Sequence, residues 1–361
     1  MSSAILNRVK HLIHPGSAFR IFAFSITATC ATLIAVAVGL GWKALYVTLI
    51  LMIVEVTFSF DNAIINAKSL ERMSPFWQKL FLTVGIFIAI FGMRVIFPIM
   101  IVSLTAGLGW GTVIDLALNH PQEYAHHLEE AHPVISAFGG AFLLMLAFQF
   151  FFDDERDVLW IRAIERKMQR LDHWMWAPTV TGLILLGVAF LPMNTHQRQT
   201  IVAGALGTLT YVTIQVLVRA MERVQQKKTP SKTGKLVGMA AFLTFIYLEI
   251  LDASFSFDGV IGAFAITTSV VLIAAGLGIG AIWVRSLTVF MVRRGTLNNF
   301  IYLEHGAHYT VFVLAMIMLA SALWHIPELV PGLAGLGLIG ASIAASVRVN
   351  RKLQKSAPTK P

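Results

Sequence analysis

The sequence predicts an all-α, polytopic membrane protein of about ten transmembrane helices. Hydrophobic residues make up 57% of the 361 residues and charged residues only 13%, and the mean hydropathy is +0.73. Soluble domains carry roughly 25% charged residues, so this chain is too apolar to be one. Several apolar runs approach or exceed the roughly 20 residues that a helix needs to cross a bilayer. The short alternating segments of a membrane barrel are absent from the sequence.

Ten apolar runs are candidate transmembrane helices, and glycine or proline residues separate most of them. They cover residues 19–40, 44–66, 78–104, 134–152, 177–193, 199–219, 236–266, 268–291, 308–325 and 329–347. If the N-terminus is cytoplasmic, 24 of the 28 Lys and Arg residues fall on the cytoplasmic side. This asymmetry predicts ten helices with both termini cytoplasmic. It also accounts for the net charge of +9 without a nucleic-acid partner.

Three details of these runs add to the prediction. The fifth run is short, and Pro178 and Pro192 flank it. The single cysteine, Cys30, excludes an intramolecular disulfide, and its place in the first run predicts a buried, unreactive thiol. The first run is long and lacks a convincing cleavage site, so we predict a retained span rather than a signal peptide.

Two acidic motifs lie inside apolar runs and match one another. Residues 55–64 read Glu-Val-Thr-Phe-Ser-Phe-Asp-Asn-Ala-Ile, and residues 252–261 read Asp-Ala-Ser-Phe-Ser-Phe-Asp-Gly-Val-Ile. The run after each motif has one interior arginine, Arg94 in the first copy and Arg285 in the second. These matched features predict an internal repeat. Because each half would contain five spans, the second half would enter from the opposite face, and the two motif helices would be antiparallel.

The predicted domain organisation follows from this repeat. Residues 1–18 would form a cytoplasmic N-terminal segment, and residues 348–361 a basic cytoplasmic tail. The first membrane repeat covers residues 19–193 and contains the motif 55–62; the second covers residues 199–347 and contains the motif 249–259. Inverted repeats of this kind are common in secondary transporters, whose substrate sites lie near the middle of the bilayer.

Five acidic residues lie within the predicted spans: Glu55, Asp61, Glu249, Asp252 and Asp258. An aspartate at the centre of a membrane helix costs about 2.5–3.5 kcal/mol, so these charges need compensation. Protons, water, the interior arginines or a bound cation would supply it, and only cation binding gives the clustering a purpose. Oxygen ligands without cysteine favour Mg²⁺, Ca²⁺ or Mn²⁺.

Helical geometry adds an expectation about the backbone. Six residues separate Glu55 from Asp61 by about 120° around an unbroken helix, because each residue turns ~100°. Both acids therefore reach one ion only if the helix loosens near residues 59–62. The same loosening is predicted near residues 256–259 in the second copy, where Gly259 makes it easier.

Other interpretations of these features remain open. An intramembrane acid can hydrogen-bond a neighbouring helix, and a serine can bond its own helix backbone. Arg94 and Arg285 are expected to be structural counter-ions, since a cation repels a cation, or else to neutralise the acids while no substrate is bound. Residues 115–133 are expected to form a solvated external loop, with a weak metal-collecting vestibule as the alternative. Residues 153–157 are expected to begin an interfacial helix.

The two motifs resemble those of the TerC family of integral membrane proteins. Residues 55–62 are similar to its first motif, Glu-x-x-x-Ser-x-Asp-Asn. Residues 249–267 are similar to its second, Glu-x-x-Asp-x-x-Phe-Ala-x-Asp-Ser-Ile-x-Ala. Ser256 stands where that motif has Ala, and Gly259 where Ser is usual. The chain therefore looks like a divergent bacterial branch allied to TerC.

The resemblance implies a function and a set of metal ligands. The family is associated with manganese export across the bacterial inner membrane and with tellurium resistance, within a wider group of LysE-like transporters. The ligands that the motif match implies are Glu55, Asp61, Asn62, Glu249, Asp252 and Asp258. The supporting residues that we predict around them are Ser59, Ser256, Arg94 and Arg285.

The predicted function is export of a divalent cation across the bacterial inner membrane, with Mn²⁺ as the favoured ion. Transport would occur by proton-coupled alternating access through a carboxylate site at the middle of the membrane. One rival is a small-molecule or amino-acid exporter on the same LysE-like scaffold, and another is a membrane scaffold of a metal- or tellurium-stress complex. The sequence has no nucleophile–base pair, zincin motif or nucleotide-binding loop, so we predict no enzymatic activity. The predicted partners are the transported cation and the lipid bilayer, with a homo-oligomer as an open alternative; we predict no cofactor and no nucleic acid.

Overall fold

The computed structural model describes residues 18–171, 173–228, 234–324, 326–327 and 329–356 of the chain. The side chains of residues 173–174, 227–228, 257–258, 298 and 353–356 lie outside this description. Residues 1–17 of the predicted N-terminal segment and 357–361 of the predicted basic tail lie outside it too. The described residues are helical and include no strand, apart from one isolated bridge between Met73 and Leu236.

The described helices are named here in chain order. They are α1 (Ala18–Phe58), α2 (Phe60–Glu71), α3 (Pro75–Phe87), α4 (Phe97–Ala106), α5 (Trp110–Asn119), α6 (Pro121–Phe151), α7 (Arg162–Met168), α8 (His173–Ala189), α9 (Gln197–Lys228), α10 (Gly238–Ile266), α11 (Val270–Arg294), α12 (Thr296–Asn299), α13 (Leu303–Ser321) and α14 (Leu329–Ser356). A π-helical segment, Ile88–Ile96, joins α3 to α4 without a break.

The chain is a polytopic helical membrane protein, as predicted. Within the described residues, eight helices are long and apolar enough to cross a membrane: α1, the continuous stretch Pro75–Ala106, α6, Gln197–Gln226, α10, α11, α13 and Leu329–Lys352. A shorter apolar helix, Met175–Ala189, covers most of the fifth predicted span. Gly41 has φ 85° and ψ 178°, so α1 changes direction between the first and second predicted spans.

Three local predictions are wrong. Residues 115–133 are helical rather than a loop, because α5 is followed almost at once by α6 with a proline at its first position, where its missing N–H costs nothing. The predicted helix start at residues 153–157 is absent, and the next helix begins at Arg162. Cys30 is exposed on the outer surface of α1 instead of buried.

The chain forms two compact units that differ from the predicted halves. The described residues of 1–129 and 233–295 form the first unit, and those of 130–232 and 296–361 form the second. Each unit therefore combines helices from both predicted repeats.

In the first unit, α11 packs closely along α1. The hydroxyls of Ser25 and Ser286 are 2.7 Å apart, and the rings of Phe22 and Trp283 stack at 5.5 Å. A Cβ at Gly276 would lie only 2.6 Å from the Leu51 Cβ, so glycine is needed for this contact. The small residues of α11 thus bring two membrane helices together, as small residues commonly do in membranes.

In the second unit, a buried carboxylate fixes the segment before α7 against α13. Glu165 is fully buried and accepts hydrogen bonds from the Ile161 N–H at 3.0 Å and from the Tyr309 hydroxyl at 3.3 Å. His305 Nε2 lies 3.3 Å from its Oε2. Burial by itself raises the pKa of Glu165, but the hydrogen bonds from His305 and Ile161 hold that pKa below its usual value.

Candidate metal-binding site

The first acidic motif lies where α1 gives way to α2, at Ser59. Its φ of −96° and ψ of 18° depart from helical values, which confirms the loosening predicted there. The break places Asp61 in the first turn of α2, where the helix dipole stabilises a negative charge. Asp61 is buried, and its Oδ1 accepts the Asn62 N–H at 2.9 Å.

The second acidic motif lies within an unbroken helix. The loosening predicted near residues 256–259 is wrong, because α10 continues from Gly238 to Ile266. A single glycine lowers helix stability by only about 1 kcal/mol, too little to interrupt a helix packed inside the protein. The side chain of Asp258, one of the six predicted ligands, lies outside the described residues.

Arg94 binds the first acid of the first motif. Its Nη2 donates to Glu55 Oε1, its Nη1 donates to the carbonyl of Ala89 at 2.6 Å, and both charged side chains are buried. The Ser59 hydroxyl donates to the same Glu55 oxygen at 3.3 Å. Arg94 lies in the π-helical segment, and such segments frequently occur at functional sites.

Arg285 binds two acids of the second motif. Its two terminal nitrogens donate to the two carboxylate oxygens of Glu249 at 3.0 and 2.9 Å, a bidentate arrangement. The Nη2 also donates to Asp252 Oδ2 at 3.1 Å. The guanidinium carbon lies 4.3 Å from the centre of the Phe81 ring, which adds a cation–π contact.

A direct hydrogen bond joins the two motifs. Asn62 Nδ2 donates to Asp252 Oδ1 at 2.7 Å, and one turn further along α2 the Asn66 amide donates to Asn62 Oδ1 at 2.9 Å. A Cβ placed on Gly259 would lie 3.4 Å from Glu55 Oε2. Asn62 thus lies beside Asp252 and Glu55 beside Gly259, so the two motif helices run antiparallel.

The two motifs also pair with arginine in the same way. In the alignment of the two copies, Glu55 corresponds to Asp252, and Arg94 corresponds to Arg285. Each acid forms an ion pair with the arginine of its own copy. The arginines are thus counter-ions of the acids, the arrangement expected from the charges alone.

Three residues outside the predicted set of ligands and supporting residues shape this site. A Cβ at Gly85 would overlap Arg285 Nη1 and lie 2.8 Å from Glu249 Oε1. A Cβ at Gly280 would lie 2.5 Å from the Cβ of Glu55. Glycines are common in membrane helices, so nothing in the sequence marks Gly85. Gly280 belongs to a Gly276-x-x-x-Gly280 pattern, which is typical of close helix packing but does not indicate a functional site. Asn66 could have been identified from the sequence, because it lies four residues after Asn62 and therefore on the same face of α2.

Several buried polar groups of the first unit lack partners within the described residues. The Ser256 hydroxyl and the Asn66 Oδ1 atom have no hydrogen-bond partner there. Asp61 has no basic partner there either. Glu55, Glu249 and Asp252 pair with the two arginines. Within the described residues, no hydrogen bond or ion pair joins Asp61 to these acids or arginines, so the structure does not bring it together with the other described acidic ligands.

The fold and this site define a polytopic helical membrane protein with buried acid–arginine pairs between antiparallel helices. A family model described as "Protein of unknown function (DUF475)" matches residues 60–353, and the chain belongs to this family. The matched region begins after Glu55 and Ser59 and includes the other predicted site residues. No curated protein and no solved structure matches the chain. These comparisons do not test the resemblance to TerC, which stays a prediction.

Proposed function

We propose that this protein transports a divalent metal cation across a membrane, with Mn²⁺ as the preferred substrate. The observation that carries the proposal is the hydrogen bond between Asn62 and Asp252, which joins two acidic motifs from distant parts of the chain. It makes them one polar cluster inside apolar helices, where each charge is costly unless it is compensated. The proposed ligands are Glu55, Asp61, Asn62, Glu249, Asp252 and Asp258.

The charge of the site favours a cation as substrate. The five proposed acidic ligands outnumber Arg94 and Arg285 by three, so the site carries a formal charge of −3 when all seven groups are ionised. A divalent cation together with one proton would neutralise that charge, whereas an anion would increase the repulsion. The two arginines therefore reduce the negative charge of the site without removing its attraction for cations.

The ligand chemistry narrows the substrate further. Carboxylate and amide oxygens are hard ligands that suit Mg²⁺, Ca²⁺ and Mn²⁺, and they do not select soft metals. The resemblance of both motifs to TerC favours Mn²⁺ among these and favours export from the cytoplasm of a bacterium.

We further propose that ten spans form two inverted repeats with both termini in the cytoplasm. The backbone change at Gly41 supports counting α1 as two spans, and the apolar part of α8 supports a tenth. The antiparallel motif helices and the matched Glu55–Arg94 and Asp252–Arg285 pairs support the inverted repeat.

Alternating access at this cluster would be coupled to protons. Deprotonated acids bind the cation, and protonation from the far side releases it, because a neutral carboxyl is a poor ligand. Arg94 and Arg285 would limit the negative charge of the site when no cation is bound. This lowers the free-energy cost of the conformational change that returns the empty transporter to its starting side.

A binding and flux measurement tests the proposal. Purified protein should bind Mn²⁺ by equilibrium dialysis, and proteoliposomes should move Mn²⁺ in a pH-gradient-dependent manner. Asp61→Asn should reduce both by at least tenfold, because it removes a charge without changing size. The matched control is Asp115→Asn, at an exposed acid outside the cluster, which should change neither. The proposal is wrong if the wild-type protein binds no divalent cation, or if Mn²⁺ in loaded cells is the same with wild type and with Asp61→Ala.

A further inference from the structure

The two acidic motifs differ at one pair of equivalent positions. The residue after the last aspartate is Asn62 in the first copy and Gly259 in the second. Asn62 reaches across to Asp252 with a hydrogen bond of 2.7 Å. Gly259 faces Glu55 in the equivalent place, where, among the described residues, an added Cβ would contact only Glu55 Oε2, at 3.4 Å. The second copy therefore has open space where the first has an amide.

The difference between Asn62 and Gly259 affects which carboxylate oxygens accept hydrogen bonds from protein donors. Both oxygens of Glu249 accept from Arg285. Both oxygens of Asp252 are also engaged, Oδ1 by Asn62 and Oδ2 by Arg285. The hydrogen bonds of Glu55 all go to Oε1. Of these three arginine-paired acids, only Glu55 has an oxygen, Oε2, without a hydrogen-bond donor among the described residues.

We propose that Glu55 Oε2 is an oxygen that binds the substrate cation, and that Gly259 keeps this oxygen accessible. The inference rests on the proposed function and deepens it. A carboxylate oxygen without a donor offers both of its lone pairs to a cation, whereas an oxygen that already accepts a hydrogen bond has only one left. A side-chain N–H at position 259 would donate to Oε2 as Asn62 donates to Asp252 Oδ1. Glycine is the one residue that brings no side chain to this position.

Two variants of equal size distinguish a hydrogen bond to Glu55 Oε2 from a steric effect of any side chain at position 259. Gly259→Asn places an amide donor beside Oε2 and should raise the Kd for Mn²⁺ at least tenfold. Gly259→Asp has the same size but offers another oxygen ligand, so it should bind Mn²⁺ at least tenfold more tightly than Gly259→Asn. Gly278→Ala is the control, because its Cβ would make only an ordinary 3.4 Å contact with Ile90.

A second comparison does not depend on residue 259 tolerating a side chain. Glu55→Gln should weaken Mn²⁺ binding more than Glu249→Gln, since both oxygens of Glu249 are already held by Arg285. Equal Kd values for Gly259→Asn and Gly259→Asp, or a larger loss for Glu249→Gln than for Glu55→Gln, would overturn the inference. In either case Mn²⁺ binding by the wild type would leave the proposed function standing, whereas no binding by the wild type would refute that function itself.

Discussion

Asn62 donates a hydrogen bond of 2.7 Å to Asp252, a residue 190 positions away in the chain. Both side chains are buried, and the bond joins the break between α1 and α2 to the middle of α10. In an apolar interior an unmade hydrogen bond is expensive, so this contact fixes the register of two antiparallel helices. The same register brings Gly259 to Glu55.

Removal of the Asn62 amide should destabilise the protein. Asn62→Ala leaves Asp252 Oδ1 without its donor and Asn66 Nδ2 without its acceptor, so we expect a loss of about 1–3 kcal/mol in unfolding free energy. Thermal or denaturant unfolding in detergent measures this loss. Asn119→Ala, which removes an exposed side-chain bond to Asp115, should change stability by no more than about 0.5 kcal/mol. Equal losses for the two variants would contradict the assigned role of Asn62.

Gly85 should be intolerant of any side chain. Gly85→Ala places a methyl group against Arg285 Nη1 and Glu249 Oε1, so the bidentate ion pair must shift or the helices must separate. Overpacking of this kind costs about 1–3 kcal/mol. Unfolding of the purified variant should show that loss, together with an altered Kd for Mn²⁺.

The matched control for Gly85 is Gly278→Ala, where the added methyl group makes only an ordinary contact. It should fold, and bind Mn²⁺, as the wild type does. If Gly85→Ala is as stable as Gly278→Ala, then the packing of glycine against the arginine pair does not matter.

The sequence predicted those features that depend on composition and local spacing. Apolar runs predict spanning helices because each backbone group must be satisfied within its own segment in lipid. The angle between Glu55 and Asp61 around a helix predicted the break at Ser59, because two acids six residues apart do not share a face of an intact helix. The sequence also identified the residues that pair across the cluster, because charged groups in apolar helices have few alternatives.

The features that were missed depend on packing between distant segments. Gly85 matters because Arg285 lies against it, and a glycine has no side chain to indicate its neighbour. The Gly276-x-x-x-Gly280 pattern indicated close helix packing, but not that Glu55 lies against Gly280. The continuity of α10 through Gly259 was missed because local propensity is weaker than tertiary packing. The helices within residues 115–133 were missed because a polar, His-rich stretch was interpreted by composition alone.

Replacement of Arg285 should make the stability of the protein depend on metal. Arg285→Gln leaves Glu249 and Asp252 without their cation, and breaking such a buried pair costs about 3–5 kcal/mol. A substrate cation can replace the lost charge, so Mn²⁺ should raise the melting temperature of the variant more than that of the wild type. A ligand at one hundred times its Kd contributes about 2.7 kcal/mol, enough to measure.

The control for Arg285 is Arg198→Gln, at an exposed position at the start of α9, with and without Mn²⁺. Its stability should stay within about 0.5 kcal/mol of the wild type. If Mn²⁺ raises the melting temperature of Arg285→Gln no more than that of the wild type, the cation does not take the position of the arginine charge.

Glu165 should make the second unit sensitive to acid. Its pKa lies below the usual value of 4.5, because the hydrogen bonds from His305 and Ile161 outweigh the effect of burial. A carboxylate with a lowered folded-state pKa adds stability that is present above the unfolded value. That stability is lost as the pH falls from about 4.5 through the folded-state pKa, since the unfolded chain then binds the proton more readily.

Glu165→Gln removes this titration and should therefore flatten the dependence of unfolding free energy on pH below about 4.5, while lowering stability at pH 7. The loss at pH 7 should be about 3 kcal/mol, because Arg156 and His305 lose a buried partner. Unfolding of wild type and variant between pH 3 and 7 provides both values. Glu155→Gln, at an exposed glutamate in the same segment, should retain the wild-type slope. If the wild type and Glu165→Gln lose stability in parallel below pH 4.5, the carboxylate does not titrate with folding, and the segment before α7 is held by its apolar contacts instead.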